Sequence, residues 1–116
     1  MKDVALSDAE IRSRLDSLPG WTHADHAIQR TFATEGWPAT LMLVNAIGFL
    51  CEAADHHPDL QVSWGKLTVR FNTHTAGGVT DKDVELAREV ERLALWKPSG
   101  GALTGTTRKW IRGGDA

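Results

Sequence analysis

Residues 58–72 read PDLQVSWGKLTVRFN, and this stretch decides the fold class. Leu67, Val69 and Phe71 alternate with Thr68, Arg70 and Asn72, the period of a strand with one buried face. Leu60 and Val62 begin a second strand upstream, and Trp64-Gly65-Lys66 leaves room only for a tight connection. Two strands joined so closely pair antiparallel.

On both sides of this hairpin the pattern is helical. Upstream, WPATLMLVNAIGFLCEAA (37–54) carries two apolar stripes, Leu41, Val44, Gly48 and Cys51, and Leu43, Ile47, Leu50 and Ala54. A helix apolar on two sides must be covered on two sides, one by the sheet and the other by a second helix or another subunit, and in a chain this short a subunit contact is the favoured cover. With Pro38 and Asn45 in it, the run falls short of the ~20 apolar residues of a membrane span and predicts a buried helix. Downstream, Gly77-Gly78 turns the chain, and TDKD (80–83) is a capping box opening a helix with Val84, Ala87, Val90 and Leu93 or Ala94 inside. Near the amino terminus SDAE (7–10) is another capping box, followed by Ile11, Leu15 and Leu18 and stopped by Pro19-Gly20. Between Gly20 and Thr34 lies a first hairpin, with the polar Ala24-Asp25-His26 supplying its turn. The order α-β-β-α-β-β-α predicts an α+β fold, a four-stranded antiparallel sheet with three helices packed on one face. Residues 1–96 form a single domain. Residues 97–116 are a Gly- and Thr-rich C-terminal extension of unknown role, in which TRKWI is a candidate short strand or ordered arm.

The chain has 116 residues, 41% hydrophobic and 24% charged, with a net charge of −2 and both signs interspersed. That is the composition of one globular domain, without the basic footprint of a nucleic-acid or anionic-membrane binder. The single cysteine, Cys51, sits in an apolar run, which suits packing and a reducing compartment. MKDVALSDAE lacks an apolar stretch of signal-peptide length, so a cytoplasmic location is expected.

Three of the five histidines fall in two polar segments, EAADHHPDL (52–60) and FNTHTAGG (71–78). One histidine at a helix end simply favours the macrodipole, and His23 and His26 in the first hairpin read as surface residues. For His56, His57 and His74 the case is stronger. Adjacent side chains share a site only at a sharp change of backbone, which Pro58 supplies. His74 ends a strand next to the one that His57 precedes. Glu52, one helical turn before His56, and the adjacent Asp55 are carboxylates that can fix a histidine tautomer. No HExxH or other familiar metal spacing is present, and no oxyanion arrangement accompanies Ser63 or Thr73, so acid–base catalysis by histidine, with no cofactor, is the favoured chemistry.

These residues resemble the pterin-4a-carbinolamine dehydratase family. The resemblance rests on LPGW (18–21), I-x-R-x-F (28–32), EAADHHPDL (52–60), Trp64 and THTAGGVTDKD (73–83), and it covers residues 6–95. It implies the same four-stranded sheet with three helices, dimers formed through sheet edges and tetramers formed through helices. It implies loss of water from 4a-hydroxytetrahydropterin to give quinoid dihydropterin, in recycling the pterin of aromatic amino acid hydroxylases. Carried over, His56, His57 and His74 are the catalytic set. His56 and His74 are expected to trade protons, with His57 positioning the pterin. Glu52, Asp55, Pro58, Trp64, Asn72, Thr73, Thr75 and Asp83 are expected around the substrate, Trp64 as an aromatic wall or else as a core anchor, and Asp83 either in the site or only as a helix cap. Leu60 departs from the family, standing where many members carry an aromatic residue. Two rival functions remain: a non-catalytic dimerisation or assembly factor on the same fold, and a metal-dependent hydrolase.

Overall fold

The computed structural model describes residues 3–112. The elements in order are α1 (Asp8–Leu15), β1 (Thr22–Ala24), β2 (Ala27–Thr34), α2 (Trp37–Ala54), β3 (Asp59–Ser63), β4 (Lys66–Phe71), a 3-10 turn (His74–Ala76), α3 (Asp81–Ala94) and β5 (Ile111–Arg112). The strands pair antiparallel in the order β1-β2-β4-β3. The fold is α+β, with the three helices and strands sharing one core.

Alternation along the strands sorts the two faces. Ile28 pairs with Phe71, Arg30 with Val69 and Phe32 with Leu67, and all six are buried. Each fully buried large side chain contributes roughly 1.5–3 kcal/mol over its exposed state. The opposite face carries Thr31 and Thr68, whose hydroxyls meet at 2.8 Å, and the cross-strand pair Asp59 and Arg70.

Both capping boxes form. Ser7 accepts from the Glu10 backbone N–H while the Glu10 carboxylate accepts from the Ser7 N–H, and these bonds hold the Glu10 carboxyl below its ordinary pKa. The LPGW and I-x-R-x-F segments are one packing unit. Gly20 has φ +98, and a Cβ there would overlap the Arg30 guanidinium. Arg30 Nε lies 2.5 Å from Glu91 Oε1, and the same oxygen accepts from the buried Trp21 indole N–H at 2.7 Å. Trp21 stacks on Phe71 with ring centroids 5.9 Å apart.

Two expectations change. In α2 the core face is Ala39, Thr40, Leu43, Ile47 and Cys51, so Cys51 belongs with Leu43 and Ile47, not with Leu41 and Gly48. Val44 and Leu50 are half-buried against the same core, and the far side of the helix is open: Trp37, Leu41, Met42 and Phe49 are exposed, Phe49 at 79%. By length and composition α2 is the one described helix able to cross a membrane, yet its inner face is fixed on the sheet. The second change is a fifth strand. The C-terminal extension runs back to the sheet, where β5 pairs with Ala33 and Thr34 of β2 on the edge that β1 leaves uncovered. Glu35 N–H donates to the Trp110 carbonyl at 3.0 Å, and Arg108 pairs with the Glu35 carboxylate.

Candidate active site

The two adjacent histidines diverge where α2 ends. Asp55 closes the helix in the left-handed region, φ 55 and ψ 39, with its N–H bonded to the carbonyls of Cys51 and Glu52. That residue and Pro58 bracket His56 and His57 with two changes of direction. His56 turns inward and stacks against Phe71, its side chain 15% exposed. His57 turns outward, with Nε2 2.7 Å from Glu52 Oε1, both side chains largely in solvent. An exposed pair of this kind is worth little in stability.

His56 is held by a buried polar network. Its Nε2 lies 2.6 Å from Oδ1 of Asp83, which is fully buried. Asp83 Oδ2 accepts from the Thr73 hydroxyl at 2.8 Å and from the Thr80 N–H at 2.9 Å. The Thr80 hydroxyl meets the Thr73 hydroxyl at 2.8 Å and accepts from the Lys82 N–H at 3.3 Å. Each donor therefore points down the chain toward the carboxylate. A carboxylate offers no proton, so His56 Nε2 donates to it and Nδ1 is the nitrogen left to exchange a proton. Asp83 both caps α3 and fixes this tautomer.

His74 follows Thr73 directly and opens the 3-10 turn, exposed to solvent. It lines an open cleft of about 330 Å³ with Asp25, His26, Asp59, Arg70 and Asn72. His56 and His57 are not in that lining; His56 is linked to the neighbour of His74 through the Asp83–Thr73 network, while His57 is paired with Glu52. The cleft thus brings in residues that the sequence reading left out. Asn72 was expected from the sequence; for Arg70, alternation on β4, which puts both opposite the core face, was the available signal. His26 carried no such signal, because the turn geometry places it. The two-residue β1–β2 turn has both Asp25 (φ 53) and His26 (φ 64) in the left-handed region. Arg70 Nη2 donates to the Asp25 carbonyl at 2.8 Å, and Asn72 Nδ2 to the His26 carbonyl.

Other expected site residues fall in different places. Trp64 sits at the β3–β4 turn, about 17 Å along the hairpin from Asp59. Its indole lies beside Gly36, and its carbonyl accepts from the Thr40 hydroxyl at 2.9 Å. Within one chain it is no wall for a ligand near His74; it joins the hairpin to the start of α2. Asn72 and Thr73 spend their side chains on the turn and on Asp83, so they position neighbours. Thr75 is exposed in the 3-10 turn, Pro58 is half-buried before β3, and the Asp55 side chain is exposed. Burial pushes the Cys51 thiol up to about 11, so it is protonated at neutral pH and no nucleophile. Among the described residues, no group of three or more His, Cys, Asp or Glu is placed to hold a metal ion.

An α+β sandwich with a carboxylate-anchored histidine beside a polar cleft suits proton transfer on a small molecule. Comparison with known sequences places the chain. The family model described as pterin 4 alpha carbinolamine dehydratase matches residues 4–93, and the chain belongs to this family of hydro-lyases. Proteins named "Putative pterin-4-alpha-carbinolamine dehydratase" from Aquifex aeolicus and Nocardia farcinica are 44% and 42% identical over 88 and 94 residues. These alignments cover 76% and 81% of this chain and 89% and 99% of the relatives. A crystal structure of a transcriptional coactivator/pterin dehydratase from Brucella melitensis superposes with a TM-score of 0.73 at 28% identity, covering 78% of this chain and 98% of that one. The C-terminal extension lies outside the family match.

Proposed function

We propose that this protein removes water from 4a-hydroxytetrahydropterin to give quinoid dihydropterin, by histidine acid–base catalysis. The reaction needs a proton delivered to the departing C4a hydroxyl and another taken from a ring N–H. Both are steps that imidazole performs near neutral pH, and neither calls for a cofactor. The observation that carries the reading is the 2.6 Å contact between His56 and the buried Asp83, one residue removed from His74 through Thr73, in a chain of this family. Asp83 sets which nitrogen of His56 can accept a proton. His74, in the cleft, supplies the second acid–base group. His57, paired with Glu52, orients the pterin.

The test generates the carbinolamine in place with an aromatic amino acid hydroxylase and follows the ultraviolet change as quinoid dihydropterin forms. The protein should accelerate this step, and His56→Ala and His74→Ala should each lose about 10²-fold or more. His57→Ala should act mainly on KM. A rate equal to spontaneous dehydration would sink the reading, and full activity in both His56→Ala and His74→Ala would sink the division of roles.

The exposed apolar face of α2, with Trp37, Met42 and Phe49, supports self-association through this helix into a dimer or tetramer. A second reading, a coactivator or assembly role beside or instead of catalysis, is favoured by the same face and by the double name of the Brucella melitensis structure. A protein that accelerates no dehydration yet binds a partner through α2 would establish it.

A further inference from the structure

The β1–β2 turn is costly to build as it stands. A two-residue turn of this kind favours glycine at its second position, where His26 adopts φ 64. The turn is nonetheless clamped, the Asp25 carbonyl by Arg70 and the His26 carbonyl by Asn72. Backbone held in a disfavoured conformation by its surroundings is a pointer to function. The outcome of the clamp is that His26 faces the same cleft as His74, with Asp25 and Asp59 on its walls.

Resting on the dehydratase reading, we infer that His26 is a specificity-determining residue that hydrogen-bonds a hydroxylated substituent at C6 of the pterin. The chemistry fixes the direction. Proton transfer at C4a and the adjacent N5 places the reacting edge at His74, and C6 is bonded to N5. A group sharing the cleft with His74 therefore faces whatever C6 carries. The lining there includes imidazole, carboxylate and guanidinium groups, which can hydrogen-bond a hydroxyl in a way they cannot bond an alkyl group. The volume of about 330 Å³ is at the lower end for small-molecule sites, enough for one ring system with a short chain.

The experiment compares kcat/KM for the carbinolamines of tetrahydrobiopterin, whose C6 chain bears two hydroxyls, and of 6-methyltetrahydropterin, which has none. Wild type should prefer the first, and His26→Gly should cut that preference about three- to tenfold, through KM. His26→Gly should also melt no lower than wild type, since glycine relieves the turn, so the loss is not one of folding. His23→Ala, on the same hairpin but outside the cleft, should keep the wild-type ratio. Acceleration with a ratio unchanged in His26→Gly, or shifted equally in His23→Ala, overturns the role of His26 and leaves the dehydratase reading standing. No acceleration of either substrate overturns both.

Discussion

Asp83 holds three donors on one fully buried side chain, and its two duties separate by substitution. Asparagine keeps one oxygen for the Thr80 N–H and the Thr73 hydroxyl but turns an NH₂ group toward His56. The imidazole must then present a lone pair at Nε2 and carry its proton on Nδ1, the reverse of the native tautomer. Asp83→Asn should therefore keep the fold, by circular dichroism, while kcat falls about 10²-fold or more, the scale of one acid–base group. Asp83→Ala should lose both, because the buried Thr80 N–H loses its acceptor. A kcat for Asp83→Asn within threefold of wild type would show that Asp83 is a helix cap alone. From sequence, Asp83 was legible as a capping residue and as a family residue, but not as both at once, since only the packing of α3 against the end of α2 brings His56 to it.

At the scale of elements, the helices are held to the sheet by one apolar surface and by a few buried polar anchors. Glu91 on α3 is the clearest anchor, accepting from the Trp21 indole N–H and paired in charge with the Arg30 guanidinium. Glu91→Ala leaves the buried Arg30 charge without its counter-ion and the buried Trp21 N–H without an acceptor, and should lower stability by about 3–5 kcal/mol in urea denaturation. A loss below about 1 kcal/mol would mean that water replaces the carboxylate. The order of elements was legible because each has its own period and stop: Pro19-Gly20, Glu35-Gly36 and Gly77-Gly78 punctuate the chain. Which side of α2 meets the sheet was less so. Its apolar residues nearly encircle it, and periodicity cannot choose among faces of similar hydropathy. The His26 turn was hidden for another reason: Asp-His is not a residue pair that announces a tight turn, and the bonds that enforce it come from β4. Of the two readings of Trp64, wall or anchor, the sequence could not choose, because nearness in sequence to His57 says nothing of nearness in space when a strand lies between.

For the whole molecule, the cleft and the docked extension occupy opposite ends of the sheet. The cleft is at the Asp25–His26 turn, while β5 meets β2 at Ala33 and Thr34. Deleting residues 97–116 should accordingly cost about 1–3 kcal/mol of stability, from the lost backbone bonds and the half-buried Trp110 and Ile111, with kcat/KM within about twofold of the full chain. A truncated protein with much-reduced turnover at unchanged stability would tie the extension to the site instead.

The docked extension has one more effect, on how copies of the chain meet. A strand with unpaired N–H and C=O groups is a template for another chain. Here β4 is flanked on both sides, and the outer side of β2 is taken by β1 and β5. Among the described strands, that leaves β3 as the one long template, since β1 offers three residues. Two copies joining antiparallel through β3 about a two-fold axis would each use up the other's template. Such a union would be self-limiting: it closes as a pair and leaves a third molecule only the short edges of β1 and β5 from which to begin a ribbon.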